Sequence, residues 1–225
     1  MNKIRVASWN VNSVRARIDL LLNWIKEKNP DIILLQEIKV RQEYFPYNAF
    51  DNFNYNIQIN GQKSYNGVAI LSKFPLSEIE INLPSFEDSQ SRYIEAWVNC
   101  NDTGFRIASL YAPNGNPISS DKYEYKLKWL NNFYKHAKKL LYNEEKIILA
   151  GDYNICPTKD DVANENIILN DAVYQTEAKN LYRKICNNGY IYVMWICKFF
   201  VYWNSNWRYW VTCPKPKKKF GKLWY

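Results

Sequence analysis

Residues 4–36 limit most strongly what this chain can become. IRVASW (4–9) alternates polar and β-favouring residues and predicts a first strand. From Ser13 the period changes: Ile18, Leu21, Leu22 and Ile25 recur at the spacing of one helix face. Asn29-Pro30 predicts the stop, because the residue before proline avoids helical angles. Asp31–Gln36 (DIILLQ) is then a short apolar run, the pattern of a strand buried on both faces and parallel to the first. A β-α-β opening of this kind commits the chain to an α/β fold with a right-handed crossover.

The later rhythm is mostly that of strands. YNIQI, GVAILS, RYIEAWV and FRIASLY are separated by Asn-Gly, proline and Asp/Ser clusters. A second helix is predicted from a Ser120 cap to about Tyr142, with Tyr123, Leu127, Leu130, Tyr134, Ala137 and Leu141 facing inward. KIILA (146–150) predicts another buried strand, and Glu177–Asn187 a third helix stopped at Gly189.

Polar residues gather where these apolar runs end, which is where α/β sheets carry their sites. SWNVN (8–12) follows the first run, Gln36-Glu37 the second, YAPNG (111–115) follows FRIASLY, and GDYNI (151–155) follows IILA. Two carboxylates with carboxamides and a phenol form a hard oxygen set, suited to Mg²⁺ and not to zinc or copper. Taken singly, each has a plainer reading. An isolated acid at a strand end is more often a cap, Asn10 and Asn154 are ordinary turn formers, and Tyr111 is a core residue. His136, the sole histidine, lies in a Lys-rich helix and is expected at its surface or boundary. Five cysteines without a C-x-x-C pair, and no charged-then-apolar leader before Ile4, predict a reduced, cytoplasmic protein without structural zinc.

WNVNSVRAR (9–17), LLQEIK (34–39), GQKSYNGVAILS (61–72), YAPNG (111–115), KYEYKLKWL (122–130) and GDYNI (151–155) together resemble the exodeoxyribonuclease III family. That family is the abasic-site endonuclease branch of the exonuclease–endonuclease–phosphatase superfamily. The six motifs stand in the family's order, and the resemblance covers about residues 3–190. It implies a four-layer α/β sandwich, two facing mixed sheets flanked by helices. It also implies a Mg²⁺-dependent hydrolase, with Mn²⁺ as a substitute, acting as a monomer on double-stranded DNA at abasic sites and 3′ ends.

The implied roles follow position by position. Glu37 matches the metal-binding glutamate and Asn10 the asparagine beside it. Asp152 matches the aspartate at the metal and scissile phosphate that aligns or deprotonates the attacking water. Asn154 matches the carboxamide at the metal that stabilises the transition state, and Tyr111 the active-site tyrosine. Asn114 and Lys63 match positions at the DNA. Ile38 stands where many relatives have threonine, a packing change.

The chain departs from this pattern near Ile191. Relatives continue with an Asn-x-Gly-x-x-x-Asp-His-type strand and a Ser-Asp-His motif. Here residues 178–225 hold 10 Lys/Arg and no acid, whereas residues 1–177 balance at −2. Residues 190–225 carry 13 aromatics in 36 positions. The apolar run Tyr190–Trp203 spans 14 residues broken by Lys198, too short to cross a membrane, which takes about 20 residues. Two readings of the tail remain, a stacking and phosphate-binding surface or sequence unrelated to the family, and the loss of acids with no periodicity favours the second. The expected organisation is therefore a domain over 1–190, its second sheet incomplete at the C-terminal side, and a basic aromatic tail over 191–225. The expected activity is reduced, and the rival expectation is a non-catalytic nucleic-acid binder on the same scaffold.

Overall fold

A computed structural model describes residues 4–100, 103–143, 146–161, 168–193 and 209–212. Most of the tail therefore lies outside the described residues. Two sheets lie face to face with helices outside, the expected four layers.

The first sheet has the order β1-β2-β4-β3, built from β1 (Val6–Asn10), β2 (Ile32–Gln36), β3 (Asn56–Asn60) and β4 (Val68–Ser72). β1 and β2 are parallel, joined through α1 (Ile18–Lys28), and β4 is antiparallel to both β2 and β3. α1 stops where the sequence predicts: Asn29 turns left-handed at φ 46° and its N–H returns to the Ile25 carbonyl. β2 shows why a strand between two layers is apolar throughout. Ile33 and Leu35 pack under α1, while Ile32 and Leu34 face the second sheet.

The second sheet has the order β5-β6-β7-β8-β10-β9. It comprises β5 (Leu76–Ile81), β6 (Tyr93–Cys100), β7 (Thr103–Tyr111), β8 (Ile147–Asp152), β9 (Ile191–Val193) and β10 (Tyr209–Thr212). β7 and β8 are parallel through α2 (Asp121–Tyr142), and α3 (Thr176–Cys186) packs beside α2. β5 was not anticipated from the sequence. Its LSEIEI alternation matches an edge strand guarded by glutamates. β10 lies within the basic tail and pairs in parallel with both β8 and β9, so the sheet continues past β8.

α2 has the predicted extent but a rotated buried face. Trp129, Phe133, His136 and Leu140 lie inward beside Leu130, Ala137 and Leu141, whereas Tyr123, Leu127 and Tyr134 are half-buried. Trp129 and Phe133 stack at 5.5 Å, placing two large rings at the centre of this layer. Ser120 is the N-cap residue, but its hydroxyl donates to the Pro117 carbonyl instead of capping the helix. His136 corrects a second expectation: it is 7% exposed, and its Nε2 lies 2.8 Å from Glu95 Oε2. That carboxylate, planted on β6 within the sheet–helix layer, draws the imidazole inside.

Candidate active site

Two parallel strand pairs end at the same edge of the sandwich. The β1–β2 ladder closes on Asn10 opposite Gln36, and the β7–β8 ladder closes on Tyr111 opposite Asp152. The sheets are latched just beneath. Gln36 Nε2 donates to Ser109 Oγ at 3.1 Å and to Ser8 Oγ at 3.2 Å, and Ser109 Oγ donates to the Leu35 carbonyl at 3.0 Å. These buried polar groups satisfy one another and register the first sheet on the second.

Asn10 joins the halves of the site. Its Nδ2 lies 2.7 Å from Glu37 Oε1 and 2.8 Å from Asp152 Oδ2, so one carboxamide holds carboxylates from both sheets. Its Oδ1 accepts the Asn12 N–H at 3.1 Å, which fixes which end of the amide faces the acids. Asp152 is held from its other side, where Oδ1 accepts the Asn154 N–H at 2.9 Å. Gly151 precedes it because β7 and β8 come too close for a side chain: a Cβ there would stand 2.0 Å from the Leu110 carbonyl oxygen.

Glu37 owes its aim to a doubly kinked backbone. Glu37 and Lys39 both have left-handed φ values, 51° and 53°, and Ile38 between them is wholly buried. This segment is tied to the motifs on either side. Ser13 and Val14 donate to the Glu37 and Ile38 carbonyls, while Ile38 and Lys39 donate to those of Gly67 and Asn66. Lys39 Nζ comes within 3.0 Å of Glu37 Oε2 and also binds Asn12 Oδ1.

Tyr111 stands beside the acids. Burial, then the charges of Glu37 and Asp152, push its phenol well above the ordinary tyrosine value; a hydrogen bond to Glu37 adds to this, and Arg92 opposes it. The Arg92 guanidinium lies over the Tyr111 ring at 5.0 Å, and its Nη1 donates to the Tyr111 carbonyl at 3.1 Å. The phenol therefore stays protonated at neutral pH and serves as a donor.

Of the sequence-predicted residues, the structure gathers Asn10, Glu37, Tyr111, Asp152 and Asn154. Asn154 is buried with its Nδ2 committed to the Ala112 carbonyl at 2.7 Å. Asn114 lies in the adjoining loop, its Oδ1 accepting the Asn116 N–H at 3.2 Å. Lys63 is separate, on the wall of a cavity of about 310 Å³ lined by Arg15, Lys39, Val40, Arg41, Tyr44, Lys63 and Ser64. Four cations and no acid line that cavity, and Lys39 links it to Glu37. Sequence reasoning passed over Arg15, Lys39, Arg41 and Tyr44. Arg15 and Lys39 sit inside quoted motifs, so the signal was present without a role attached.

No group of three or more His, Cys, Asp or Glu able to hold a metal occurs among the described residues. Mg²⁺ asks for less, one or two carboxylates with its remaining positions kept by water. Glu37 and Asp152, drawn together by one amide, match that requirement in donor type and number.

The comparisons with known proteins agree with this architecture. A model of the Endonuclease/Exonuclease/phosphatase family matches residues 7–218, extending past residue 190, where the resemblance read from the sequence ends. The chain is 33% identical to exodeoxyribonuclease III of Haemophilus influenzae over 161 residues, 71% of this chain and 60% of that protein. It is 23% identical to an exodeoxyribonuclease of Bacillus subtilis over 194 residues, 84% of this chain and 73% of that one. An AP endonuclease structure from Archaeoglobus fulgidus superposes with a TM-score of 0.77 at 33% identity, covering 83% of this chain and 71% of that one. A Neisseria 3′ phosphatase solved with a product DNA hairpin gives a TM-score of 0.77 at 29% identity, covering 83% of this chain and 71% of that one. The chain thus spans about 60% of the length of the Haemophilus relative. With the family match covering almost the whole sequence, the chain belongs to the Endonuclease/Exonuclease/phosphatase family.

Proposed function

We propose that this chain is a DNA phosphodiester hydrolase of the exodeoxyribonuclease III type. It removes nucleotides 3′→5′ and cuts at abasic sites, requires Mg²⁺, accepts Mn²⁺ as a substitute, and works as a monomer on duplex DNA. The observation that carries the proposal is the Asn10 carboxamide bridging Glu37 and Asp152 at 2.7 and 2.8 Å. Glu37 and Asp152 would hold the metal, which offsets charge on the phosphate and leaving oxygen.

The protein's own groups account for the rest. Asp152, oriented by Asn10 and the Asn154 N–H, accepts a hydrogen bond from the attacking water and takes its proton. Tyr111, kept neutral by burial and by the neighbouring acids, donates to a phosphate oxygen. The cavity bearing Lys63, Arg15, Lys39 and Arg41 takes a backbone phosphate beside the scissile one, and Asn114 in the loop after β7 contacts another.

Turnover is expected to be low. The one imidazole, His136, is engaged with Glu95, and the resemblance calls for a histidine and further aspartates that this chain lacks. Losing a positioned acid–base group lowers rates by about 10²–10⁴-fold. The test incubates the purified full chain with abasic-site duplex and Mg²⁺, beside Glu37→Ala and a chelator control. Slow cleavage abolished by both controls is expected. Cleavage indifferent to either sinks the metal-dependent reading, and rapid cleavage sinks the impaired one.

A second reading, a non-catalytic nucleic-acid binder, draws on the acid-free cavity lining. It predicts salt-sensitive duplex binding without Mg²⁺ dependence and with no cleavage.

A further inference from the structure

Lys126 carries a cation to a place with no exposed surface. Its Nζ donates to three main-chain carbonyls: Asn154 at 2.7 Å, Asn114 at 3.0 Å and Ala172 at 3.0 Å. These belong to three separate segments, the turn after β8, the loop after β7, and the stretch leading into α3. An ammonium has three N–H groups, and all three find acceptors. Buried charge is costly unless so satisfied, so a lysine at this point marks a demanding local requirement.

The segments it gathers shape the candidate site. Asn154 is left-handed at φ 48°, its N–H held by Asp152 Oδ1 at 2.9 Å and its Nδ2 by the Ala112 carbonyl at 2.7 Å. Lys126 holds its remaining main-chain group, the carbonyl. With Asp152 Oδ1 engaged in this turn, Oδ2 is presented to Asn10 at 2.8 Å. The loop after β7 is equally close: Gly115 has φ +87°, and a Cβ there would stand 2.7 Å from Lys126 Cδ. The third segment is tied to that loop, since Asn116 Oδ1 accepts the Ala172 N–H at 2.8 Å and Asn116 Nδ2 donates to Asp171 Oδ1 at 2.9 Å.

We infer that Lys126 is a positioning residue for the candidate active site: its ammonium clasps the three segments and thereby sets the Asp152–Asn154 turn. The inference deepens the hydrolase proposal and rests on that reading for its kinetic consequence. Lys126 has no surface from which to touch a substrate, so its effect passes through Asn154 and Asp152.

Hydrogen–deuterium exchange on the full chain, wild type against K126M, provides the test. A positioning role predicts exchange about tenfold or more faster in residues 111–116, 152–156 and 170–174, with β2 and β4 unchanged. K126Q keeps two N–H donors and falls between the two, and it decides the matter if K126M does not fold. Wild-type protection in the three segments, or an equal loss across β2 and β4, overturns the inference. In a second arm, cleavage of abasic duplex with Mg²⁺ is expected to lose about 10²-fold in kcat with KM within about twofold. K126M cleaving as fast as wild type also overturns it. A wild type that cleaves nothing removes the hydrolase reading, while the exchange arm still decides the role of Lys126.

Discussion

Two carboxylate clusters sit on this sandwich and have opposite characters. At the strand ends, Glu37 and Asp152 share Asn10, and Glu37 pairs with Lys39 on the wall of a basic cavity. In the layer between the second sheet and α2, Glu95 accepts from His136 at 2.8 Å, from the Tyr93 hydroxyl and from Arg106 at 3.5 Å. Burial alone would raise the Glu95 carboxyl, but hydrogen bonds and charge from His136, with Tyr93 and Arg106, outweigh it and lower its pKa. Tyr93 moves the other way: burial first, then Glu95, hold its phenol far above the ordinary value. A closed network whose members satisfy one another is structural. Two acids brought together beside a basic cavity are poised for a ligand. The same residue types thus divide by the company they keep.

The largest expected effect tests the closed cluster. Glu95→Ala strands three buried donors and should lower stability by about 3–5 kcal/mol, measured by urea unfolding. A loss under about 1 kcal/mol breaks the contrast. Acid then probes the same group. Because the folded Glu95 pKa lies below its ordinary 4.5, its stabilising contribution is complete above that pH and is lost as pH falls through the lower folded value. The stability gap between wild type and Glu95→Gln should therefore shrink below about pH 4.5, and a gap that stays constant to pH 3 refutes the assignment.

Glu37→Gln addresses the open cluster, and its profile should be the reverse. Stability should move by less than about 1 kcal/mol, because the Lys39–Glu37 pair is part-exposed, at 28% and 13%. Mn²⁺ affinity, read by calorimetry, should fall at least tenfold, since about 10–100-fold follows even from losing a supporting partner. Unchanged affinity would remove Glu37 from the metal site. The smallest effect belongs to Lys63→Ala. Duplex binding should weaken and its log–log salt slope drop by about one, with stability within about 0.5 kcal/mol. An unaltered slope places Lys63 off the phosphate path.

Much of the fold was legible because each strand between two layers is apolar on both faces, as in IILLQ and IILAG. β5 was less so, because an edge strand needs only one apolar face and carries glutamates on the other. The α2 face was misjudged in its rotation, because a Lys-rich helix hides a lysine and a histidine that turn inward. Lys126 is drawn in by carbonyls 12 to 46 residues away and His136 by a carboxylate 41 residues away, and no local periodicity encodes such partners. At the site, residue types were readable from strand ends and from the resemblance, while roles for Lys39, Arg41, Tyr44 and Arg92 were not.

By itself the sequence determined the α/β class, the family, the strand ends where polar residues collect, and the lack of a second histidine. Those are properties of short windows and of composition. Tertiary structure alone decided which acids meet. Asn10 and Asp152 lie 142 residues apart in the chain and 2.8 Å apart in the fold. Their meeting requires two parallel ladders to end at one edge and the Gln36–Ser109 latch to hold the sheets in register. Tertiary structure also decided that His136 belongs to Glu95, where a buried carboxylate draws an expected surface histidine into the core.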